Sequence, residues 1–499
     1  MHKILVANRG EIAVRIIRAC RDMGLASVAV FSDCDRAARH VRMADQAVDI
    51  GPNPPADSYL RIDRLIAAAR ATGADAVHPG YGFLAENDAF AAACADAGLT
   101  FIGPSAATIA LMGSKTSARQ VARAARIPVV PGSDEPFGLD TPDAAIAAAA
   151  DGIGYPVMVK AVAGGGGKGM RVVAMPDELH AAVREARGEA VAAFGDGAVY
   201  LERRLERPRH VEVQILADHH GTVLPFVERE CSIQRRHQKV VEETPSLAVG
   251  PELRAKMTAA AAAVARAAGY TNAGTVEFLL DGDGRFYFLE MNTRLQVEHP
   301  ITEAVTGIDL VQWQIRIAAG DRLTLDPAAL VSPRGHAIEC RVYAEDPDAG
   351  FLPAPGRIIS LRSPDGPGIR DDSGVEAGSD VPIHYDPLIS KLVAHGDSRA
   401  QAMSRMRRAL REYEVTGIHT SLPFFCWLLD RPEFIEARFD TGYLDDLLQQ
   451  RGGEPFMEPD SSLEEVACIA VCLAELSRPE ASAPASAWTS AGRIEGLRE

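Results

Sequence analysis

Strict alternation of polar and apolar residues in FLEMNTRLQVEHP, residues 288–300, constrains this chain more than any other feature. The polar positions fall at every second residue: Glu290, Asn292, Arg294, Gln296 and Glu298. In an extended chain these side chains share one face, and the intervening apolar residues pack on the other. The exposed face of an ordinary strand carries Thr, Lys, Ser and Glu in mixed order. A face of carboxylates, amides and a guanidinium therefore indicates a functional surface rather than a solvated one.

A tight turn before that segment brings another carboxylate to the same face. The tetrapeptide DGDG at 281–284 is a strong hairpin signal between two strands. Pairing about this turn places Glu277 opposite Phe288 and diagonal to Glu290, with roughly 7–8 Å between the Cα atoms of the two glutamates. Carboxylate and amide oxygens at this spacing suit Mg²⁺ or Mn²⁺ ions that bridge phosphate groups. The hairpin therefore predicts a divalent-cation site.

Two further segments favour an anionic ligand. The glycine run at 164–167 lies between stretches with strand character, whereas a Walker loop or dinucleotide fingerprint opens a helix. Such a hairpin flap can bring backbone N–H groups close to phosphate oxygens, although a merely flexible turn would also be rich in glycine. Lys160 interrupts an apolar strand beside the flap, which favours a buried anionic partner. The polar segment QRRHQK at 234–239 is a second source of cations, or else a basic surface loop.

Composition excludes several classes of function. A net charge of −16 excludes a broad electrostatic attraction to nucleic acid or to an anionic membrane. Charged residues interrupt the first 18 positions, where a signal peptide needs an apolar stretch, and the apolar tract at 466–474 is too short to span a bilayer. The eight cysteines show no metal-binding spacing, so we expect reduced, mostly buried thiols. A cytoplasmic protein is expected.

Several regions differ in their pattern of predicted elements. The first hundred residues alternate apolar strands with amphipathic helices, which is typical of a parallel, Rossmann-like sheet. From about residue 131 short strands are spaced by glycine and proline, as in a smaller α+β domain. A region at about 331–448 mixes short strands with a helix at 399–413, and a tail with one helical stretch at 463–477 follows. We therefore predict a multidomain fold of the α/β and α+β classes.

Eight motifs follow one another along the chain: KILVANRGEIAVRIIRA, HPGYGFLAEN, MGSK, the tetraglycine run, HVEVQ, QRRHQKVVEE, GTVEF and FLEMNTRLQVEHP. In this order they resemble the biotin carboxylases, and the resemblance extends from residue 3 to about residue 445. The resemblance implies these domains: a Rossmann-like N-terminal domain at 1–114, an ATP-grasp domain at 115–330 with a glycine-rich lid at about 132–204, a mixed C-terminal domain at 331–448, and a helical or linker tail at 449–499.

The resemblance also implies where the ligands bind. ATP would be surrounded by Lys115, Lys160, Gly165, Gly166, Met170, Glu202, Arg203, Leu205, His210, Gln234, His237 and Leu279. Two Mg²⁺ or Mn²⁺ ions would be held by Glu277, Glu290 and Asn292. Bicarbonate would be bound by Lys239, Arg294, Gln296 and Val297. Glu298 would be the general base, and Arg341 would meet biotin.

The activity implied is ATP-dependent carboxylation of biotin on a separate biotinyl carrier protein. Bicarbonate and ATP would form carboxyphosphate, and the products would be N1-carboxybiotin, ADP and phosphate. This is the first half-reaction of an acyl-CoA carboxylase, so we also expect a homodimer and a carboxyltransferase subunit. The sequence contains no Ala-Met-Lys-Met biotinylation motif, which is why we expect a separate carrier.

One departure from the family and two alternatives qualify this interpretation. Val162 and Ala163 stand just before the flap, where the family usually has Ser or Thr and glycine, so the resemblance does not extend to the mobility of the flap. One alternative is another ATP-grasp ligase that joins an activated carboxylate to an amine. The other is a nucleotide-binding regulatory subunit without turnover. A biotin carboxylase should be stimulated by biotin, the other ligase should turn over without regard to biotin, and the regulatory subunit should not turn over at all.

Overall fold

The computed structural model describes residues 1–133, 135–162, 169–456 and 461–476. The chain forms two compact units, Met1–Glu454 and Pro455–Glu499. Across the described residues, no helix is both long and apolar enough to cross a membrane.

The first unit begins with alternating strands and helices. These are β1 (Lys3–Val6), α1 (Gly10–Asp22), β2 (Ala26–Ser32), α2 (Arg39–Met43), β3 (Gln46–Gly51), α3 (Ile62–Thr72), β4 (Ala76–His78), α4 (Asp88–Asp96) and β5 (Thr100–Phe101). The strands are parallel, in the order β3-β2-β1-β4-β5. Ile4, Leu5 and Val6 are fully buried, as expected for a parallel strand covered on both faces. The predicted Rossmann-like sheet is confirmed.

A smaller antiparallel layer follows. Two helices, α5 (Ala106–Gly113) and α6 (Lys115–Ala124), come first in the chain. The layer itself comprises α7 (Asp143–Ile153), β6 (Val157–Ala161), β7 (Met170–Val173), α8 (Leu179–Phe194) and β8 (Val199–Arg203). The strand order is β7-β6-β8, and Val157, Val159 and Leu201 form a core with α7 and α8. The antiparallel pairing of β6 with β7 agrees with the predicted hairpin. The glycine run, with Gly165 and Gly166, lies outside the described residues.

A third group of elements completes the first unit. Its first half comprises β9 (Arg209–Ala217), β10 (Val223–Arg235), β11 (Gln238–Thr244), α9 (Pro251–Ala267), β12 (Asn272–Leu280), β13 (Phe286–Asn292), α10 (His299–Thr306), α11 (Leu310–Ala318), α12 (Pro327–Leu330) and β14 (His336–Tyr343). Its second half comprises β15 (Glu345–Asp346), β16 (Leu352–Pro353), β17 (Gly356–Arg357), β18 (Ser360–Arg362), β19 (Ile369–Ser373), β20 (Asp380–Val381), β21 (Leu388–Gly396), α13 (Arg399–Glu412), β22 (Glu414–Thr416), α14 (Leu422–Leu428), α15 (Pro432–Ile435) and α16 (Tyr443–Arg451). The helix predicted at 399–413 is thus confirmed as α13.

Eight of these strands form one antiparallel sheet, in the order β13-β12-β9-β10-β11-β14-β21-β19. Because β11 pairs with β14, the sheet crosses the domain boundary predicted at residue 330. Val213 and Val276 belong to an apolar core that includes Met257 of α9. Their chain neighbours Glu212 and Glu277 point to the opposite face, since successive side chains of a strand alternate. That opposite face is the polar face of the large sheet.

The second unit contains one described helix, α17 (Ser461–Leu476), close to the helix predicted at 463–477. Cys468 and Cys472 are exposed, so the packing face predicted for them is not seen among the described residues. The thiols of the first unit agree better with the prediction, because Cys20, Cys94, Cys231 and Cys340 are free and buried.

Candidate active site

Lys239, near the start of β11, is the centre of a buried cluster of carboxylates on the polar face of the large sheet. Its Nζ donates to Glu212 Oε2 at 2.6 Å, to Glu277 Oε1 at 2.9 Å and to Glu298 Oε1 at 2.8 Å. Burial by itself lowers the pKa of an ammonium group. Here the three carboxylates outweigh burial and raise the pKa of Lys239 well above its ordinary range. Lys239 is therefore a fixed positive charge.

Glu277 in β12 is held by three hydrogen-bond donors and lies beside an imidazole. Besides Lys239, its Oε1 accepts from Asn292 Nδ2 at 2.8 Å and from Gln296 Nε2 at 3.0 Å. Its Oε2 lies 2.8 Å from His210 Nε2. Burial favours the neutral acid, but Lys239 and His210 outweigh it and hold the pKa of Glu277 well below its ordinary range. Glu277 is therefore ionised.

The hairpin register differs from the prediction. Phe288 pairs with Phe278, and Glu290 pairs with Glu277 after an irregularity in the ladder. The predicted pairing of Glu277 with Phe288 is wrong for two local reasons. The turn uses Gly284 at φ +79°, which suits an odd-length loop with a bulge, and β13 then carries one extra residue. The two carboxylates are thus directly opposite, at about 4.5–5.5 Å between Cβ atoms.

The prediction that residues 290–298 form one extended strand is correct as far as Asn292 and wrong beyond it. β13 ends at Asn292 because the N–H of Thr293 bonds to Glu86 Oε1 at 2.9 Å. Pro300 then stands in the first turn of α10, where proline is well tolerated. Residues 293–298 form a loop, which we call the anion loop. The last three polar positions reach the cluster from this loop: Arg294, Gln296 and Glu298.

Arg294 ties the anion loop to two other segments. Its Nε donates to Glu86 Oε2 at 2.9 Å, in the loop before α4. Its Nη1 donates to Gln296 Oε1 at 3.0 Å and its Nη2 to Asn292 Oδ1 at 3.2 Å. The guanidinium is therefore held in place by one carboxylate and two amides.

Glu298, the residue before α10, is fully buried between two cations. Its Oε1 accepts from Lys239 Nζ and its Oε2 from Arg341 Nη2, the latter at 2.9 Å. Arg341 in β14 also donates from Nε to Glu242 Oε1 at 2.6 Å. Burial raises the pKa of Glu298, but Lys239, then Arg341 and Arg229, outweigh it and hold the pKa well below its ordinary range. The carboxylate is therefore ionised.

The donor chemistry of the hairpin fits divalent cations. Burial raises the pKa of Glu290, and the facing charge of Glu277 raises it further, against the opposing charge of Lys115. A cation between the two carboxylates would remove this repulsion. Glu277 also belongs to a buried group with His210 and Glu212 whose potential ligand atoms lie within 4.8 Å of one another. Oxygen-dominated donors of this kind suit Mg²⁺ or Mn²⁺.

Comparison with known proteins agrees with this geometry. Residues 1–109 match the biotin carboxylase N-terminal domain, residues 114–326 the ATP-binding domain of the carbamoyl-phosphate synthase L chain, and residues 339–446 the biotin carboxylase C-terminal domain. A biotin carboxylase from Nostoc sp. is 53% identical over 446 residues, which cover 89% of this chain and 99% of the relative. The chain belongs to the biotin carboxylase family.

Two other relatives extend the comparison with biotin carboxylases. The propionyl-CoA carboxylase alpha chain of Ruegeria pomeroyi is 46% identical over 505 residues, which cover 96% of this chain and 73% of the relative. The biotin carboxylase domain dimer of Hydrogenobacter thermophilus 2-oxoglutarate carboxylase, solved with MgADP, ADP and bicarbonate, superposes with a TM-score of 0.86. It is 45% identical and covers 92% of this chain and 99% of its own.

Membership of the biotin carboxylase family establishes the fold and the activity of the chain. The fold comprises an N-terminal domain, an ATP-grasp domain and a C-terminal domain, as predicted. The chain is an ATP-grasp ligase that carboxylates biotin with ATP as part of a carboxylase, and it uses ATP, Mg²⁺ and biotin. The biotin carboxylase prediction is confirmed over the amine-ligase and regulatory alternatives.

Several of the predicted ATP contacts lie close to one another. Lys160 in β6 forms an ion pair with Glu202 of β8, and Met170 pairs with Lys160 across the sheet. Near the cluster, His210 Nδ1 and Gln234 Nε2 are 2.8 Å apart. The remaining described positions are more scattered: Lys115 begins α6, Leu279 pairs with His210 in the sheet, Leu205 is half-buried, and Arg203 and His237 are exposed.

The sequence did not indicate four residues of the cluster around Lys239. They are Glu86, Glu212, Arg229 and Glu242, which contact Arg294, Lys239 or Arg341 or lie beside them. Glu212 could have been predicted from the sequence. In HVEVQ the polar residues His210, Glu212 and Gln214 alternate with valines, which is the same pattern that polar and apolar residues follow at 290–298. Arg229 and Glu242 lie in buried strands beside other glutamates, and nothing in the local sequence indicates which partner each of them meets.

Proposed function

We propose that the cluster around Lys239 is the catalytic centre at which bicarbonate is activated and biotin is carboxylated. Glu298 is the general base, Arg341 meets biotin, and Glu277, Glu290 and Asn292 hold the metal ions. Bicarbonate is bound by Lys239, Arg294, Gln296 and the backbone of Val297. The observation that carries this proposal is the position of the ionised Glu298, buried between Lys239 and Arg341.

In the proposed chemistry Glu298 removes the hydroxyl proton of bicarbonate. The bicarbonate oxygen attacks the γ-phosphorus of ATP, and ADP leaves with the electron pair of the broken bond. Lys239 and Arg294 keep the anion beside the base, and bound divalent ions supply charge neutralisation on the phosphates. The product of this step is carboxyphosphate.

Carboxyphosphate then breaks into CO₂ and phosphate within the same site. The phosphate accepts the proton of biotin N1, and N1 forms the new bond to the carbon of CO₂. Arg341 stabilises the negative charge that develops on the ureido oxygen, because a fixed cation there needs no reorganisation. Its orientation by Glu242 supports this role.

For ATP we propose contacts from the described residues of the family set. Lys160 and Glu202 stand on the small layer and His210, Gln234 and Leu279 on the large sheet, with Lys115, Met170, Arg203, Leu205 and His237 around them. Gly165 and Gly166 complete the proposed set, although they lie outside the described residues. Support comes from the buried ion pair of Lys160 with Glu202, since phosphates can compete for such a lysine.

The partners proposed are a separate biotinyl carrier protein and a carboxyltransferase subunit. A relative that belongs to a larger carboxylase, and a related biotin carboxylase domain solved as a dimer, support a carboxylase assembly. A homodimer of this chain is proposed on the same basis. The final acyl acceptor belongs to the carboxyltransferase.

The experiment is ADP release with ATP, Mg²⁺ and bicarbonate, with and without free biotin. We expect strong stimulation by biotin in the wild type, loss of turnover in Glu298→Gln, and loss of the biotin stimulation in Arg341→Ala. Wild-type activity in Glu298→Gln would contradict its role as base. Unchanged stimulation by biotin in Arg341→Ala would contradict the proposed biotin contact.

A further inference from the structure

Lys391, in the middle of β21, is fully buried and contacts three distant parts of the chain. Its Nζ donates to the carbonyl oxygen of Val297 in the anion loop at 3.0 Å. The same Nζ lies 3.2 Å from Glu11 Oε2, at the start of α1, and 5.5 Å from the ring centroid of Tyr81. The Nζ atom of this lysine from the C-terminal region therefore contacts both the N-terminal sheet domain and the proposed bicarbonate subsite.

Lys391 lies among buried charges of both signs. Lys391 pairs in register with Arg341 on one side and Asp372 on the other, so these side chains share a face of the sheet. Burial raises the pKa of Glu11 to about 7, and the charge of Lys391 opposes that rise. A buried lysine is costly unless it is paired and hydrogen-bonded. Glu11 supplies the opposite charge that pairs with the Lys391 ammonium group. The Val297 carbonyl accepts a hydrogen bond from the same group, which an ion pair alone would not need.

That hydrogen bond completes a series along the anion loop. The carbonyl of Leu295 accepts from Arg294 Nη1 at 3.3 Å, and the carbonyl of Gln296 lies 2.8 Å from His299 Nδ1. The carbonyl of Val297, next in line, is held by Lys391. Because a peptide unit is planar, holding the Val297 carbonyl fixes the whole plane that joins Val297 to Glu298. This plane links a proposed bicarbonate contact to the proposed base.

We propose that Lys391 is a positioning residue for the bicarbonate subsite, which fixes the Val297–Glu298 peptide while Glu11 balances its charge. The proposal rests on the bicarbonate subsite of the proposed function. Lys391 acts through the backbone of the anion loop, so its loss weakens the use of bicarbonate more than the use of ATP or biotin. A purely structural lysine would instead affect all three substrates alike.

The test compares Lys391→Met with wild type in steady-state ADP release under three substrate titrations. We expect the KM for bicarbonate to rise about tenfold, as for loss of one hydrogen bond from a charged donor, with the KM values for ATP and biotin within about twofold. The matched control is Lys3→Met, because Lys3 Nζ also donates to a backbone carbonyl, that of Thr72 at 2.7 Å, away from the site. The control should keep all three KM values.

The double variant Lys391→Met/Glu11→Gln separates positioning from stability. Lys391→Met removes the charge that opposes the raised pKa of Glu11, so at about pH 8 the Glu11 carboxyl must either take up a proton or stay charged without a counter-charge, and the melting temperature falls. Glu11→Gln removes that charge, so the double variant should regain melting temperature while its bicarbonate KM stays raised. If the bicarbonate KM recovers together with the melting temperature, Lys391 acts through stability and the proposal is wrong.

Other outcomes distinguish this proposal from the proposed function. An active wild type with an unchanged bicarbonate KM in Lys391→Met overturns the positioning role alone. A wild type without biotin-stimulated ADP release overturns the proposed function. If Lys391→Met does not fold, the three KM values of the double variant are compared with those of the wild type instead. The double variant should fold, because it contains no unpaired charge at this position.

Discussion

Glu298 Oε2 accepts a hydrogen bond from Arg341 Nη2 at 2.9 Å, with both side chains buried. The proposed base and the proposed biotin contact are therefore in direct contact in the free enzyme. Across so short and buried a distance, the charge state of one residue affects the other strongly. We therefore expect this pair to couple the proton removal by Glu298 to the binding of biotin by Arg341.

Replacing Arg341 with Met should change the pH dependence of the base. Burial raises the pKa of Glu298, and Lys239 and Arg341 oppose burial, so removing the guanidinium raises the pKa. The acid limb of ADP release, measured without biotin, should therefore move to higher pH. Arg341→Lys keeps the charge and should keep the limb near its wild-type position. An acid limb that does not move in Arg341→Met would show that the pair is not coupled.

Glu242→Gln should weaken the binding of biotin. Glu242 orients Arg341 from β11, and its loss removes one charged hydrogen bond from the guanidinium. We expect the KM for biotin to rise about tenfold, with the KM for ATP nearly unchanged. The control is the next residue, Glu243→Gln, because Glu243 contacts His336 and Arg399 instead. An equal rise of the biotin KM in both variants would argue against orientation through Glu242.

Lys239→Met should abolish turnover and destabilise the fold. Three buried carboxylates lose their common counter-charge, and bicarbonate loses a proposed cation. We expect kcat to fall by about three orders of magnitude, as for other groups that stabilise developing charge. The melting temperature should fall as well. Lys256→Met, at an exposed position of α9, should change neither quantity. Substantial activity in Lys239→Met would contradict its place in the site.

Glu290→Gln should raise the requirement for Mg²⁺. Its carboxylate is disfavoured by burial and by the facing Glu277, so a cation is the natural counter-charge. The Mg²⁺ concentration for half-maximal ADP release should rise about tenfold or more. Without Mg²⁺ the variant should be at least as stable as the wild type, because a repelled charge is removed. Glu252→Gln, on the exposed start of α9, is the control for the loss of one acidic group.

Glu339→Gln should stabilise the protein at alkaline pH. Among the described residues neither oxygen of the fully buried Glu339 has a hydrogen-bond partner, and Glu242 stands opposite it across β11 and β14. Burial and then Glu242 raise the pKa of Glu339 well above its ordinary value of 4.5. The folded state thus holds a proton that the unfolded chain releases near pH 4.5, so stability falls as the pH rises above this value.

The glutamine variant removes that loss of stability with rising pH. Its melting temperature should exceed that of the wild type by a few degrees at about pH 8 and differ little at about pH 5. Glu436→Gln, on the surface, should follow the wild type at both values of pH. A variant less stable than the wild type at alkaline pH would mean that Glu339 is ionised and stabilising.

Much of the fold and of the site could be predicted from local patterns. The alternation of strands and helices in the first hundred residues predicts the parallel sheet, and the polar alternation that starts at Glu290 predicts the site. The errors are also local. A bulge in β13 puts Glu277 opposite Glu290, and the bond from Thr293 to Glu86 ends the strand. Neither the bulge nor a partner two hundred residues away is visible in the pattern of one segment.

By itself the sequence determined the family and the strand that presents the carboxylates, and it predicted which groups perform the chemistry. These follow from short-range periodicity and from motifs in a set order. Only the tertiary structure decided the partners: Lys239 among three carboxylates, Arg341 against Glu298, and Lys391 between Glu11 and Val297. The physical reason is burial. A charge removed from water must find its counter-charge wherever the sheet order brings one, and that order joins residues that are far apart in the chain.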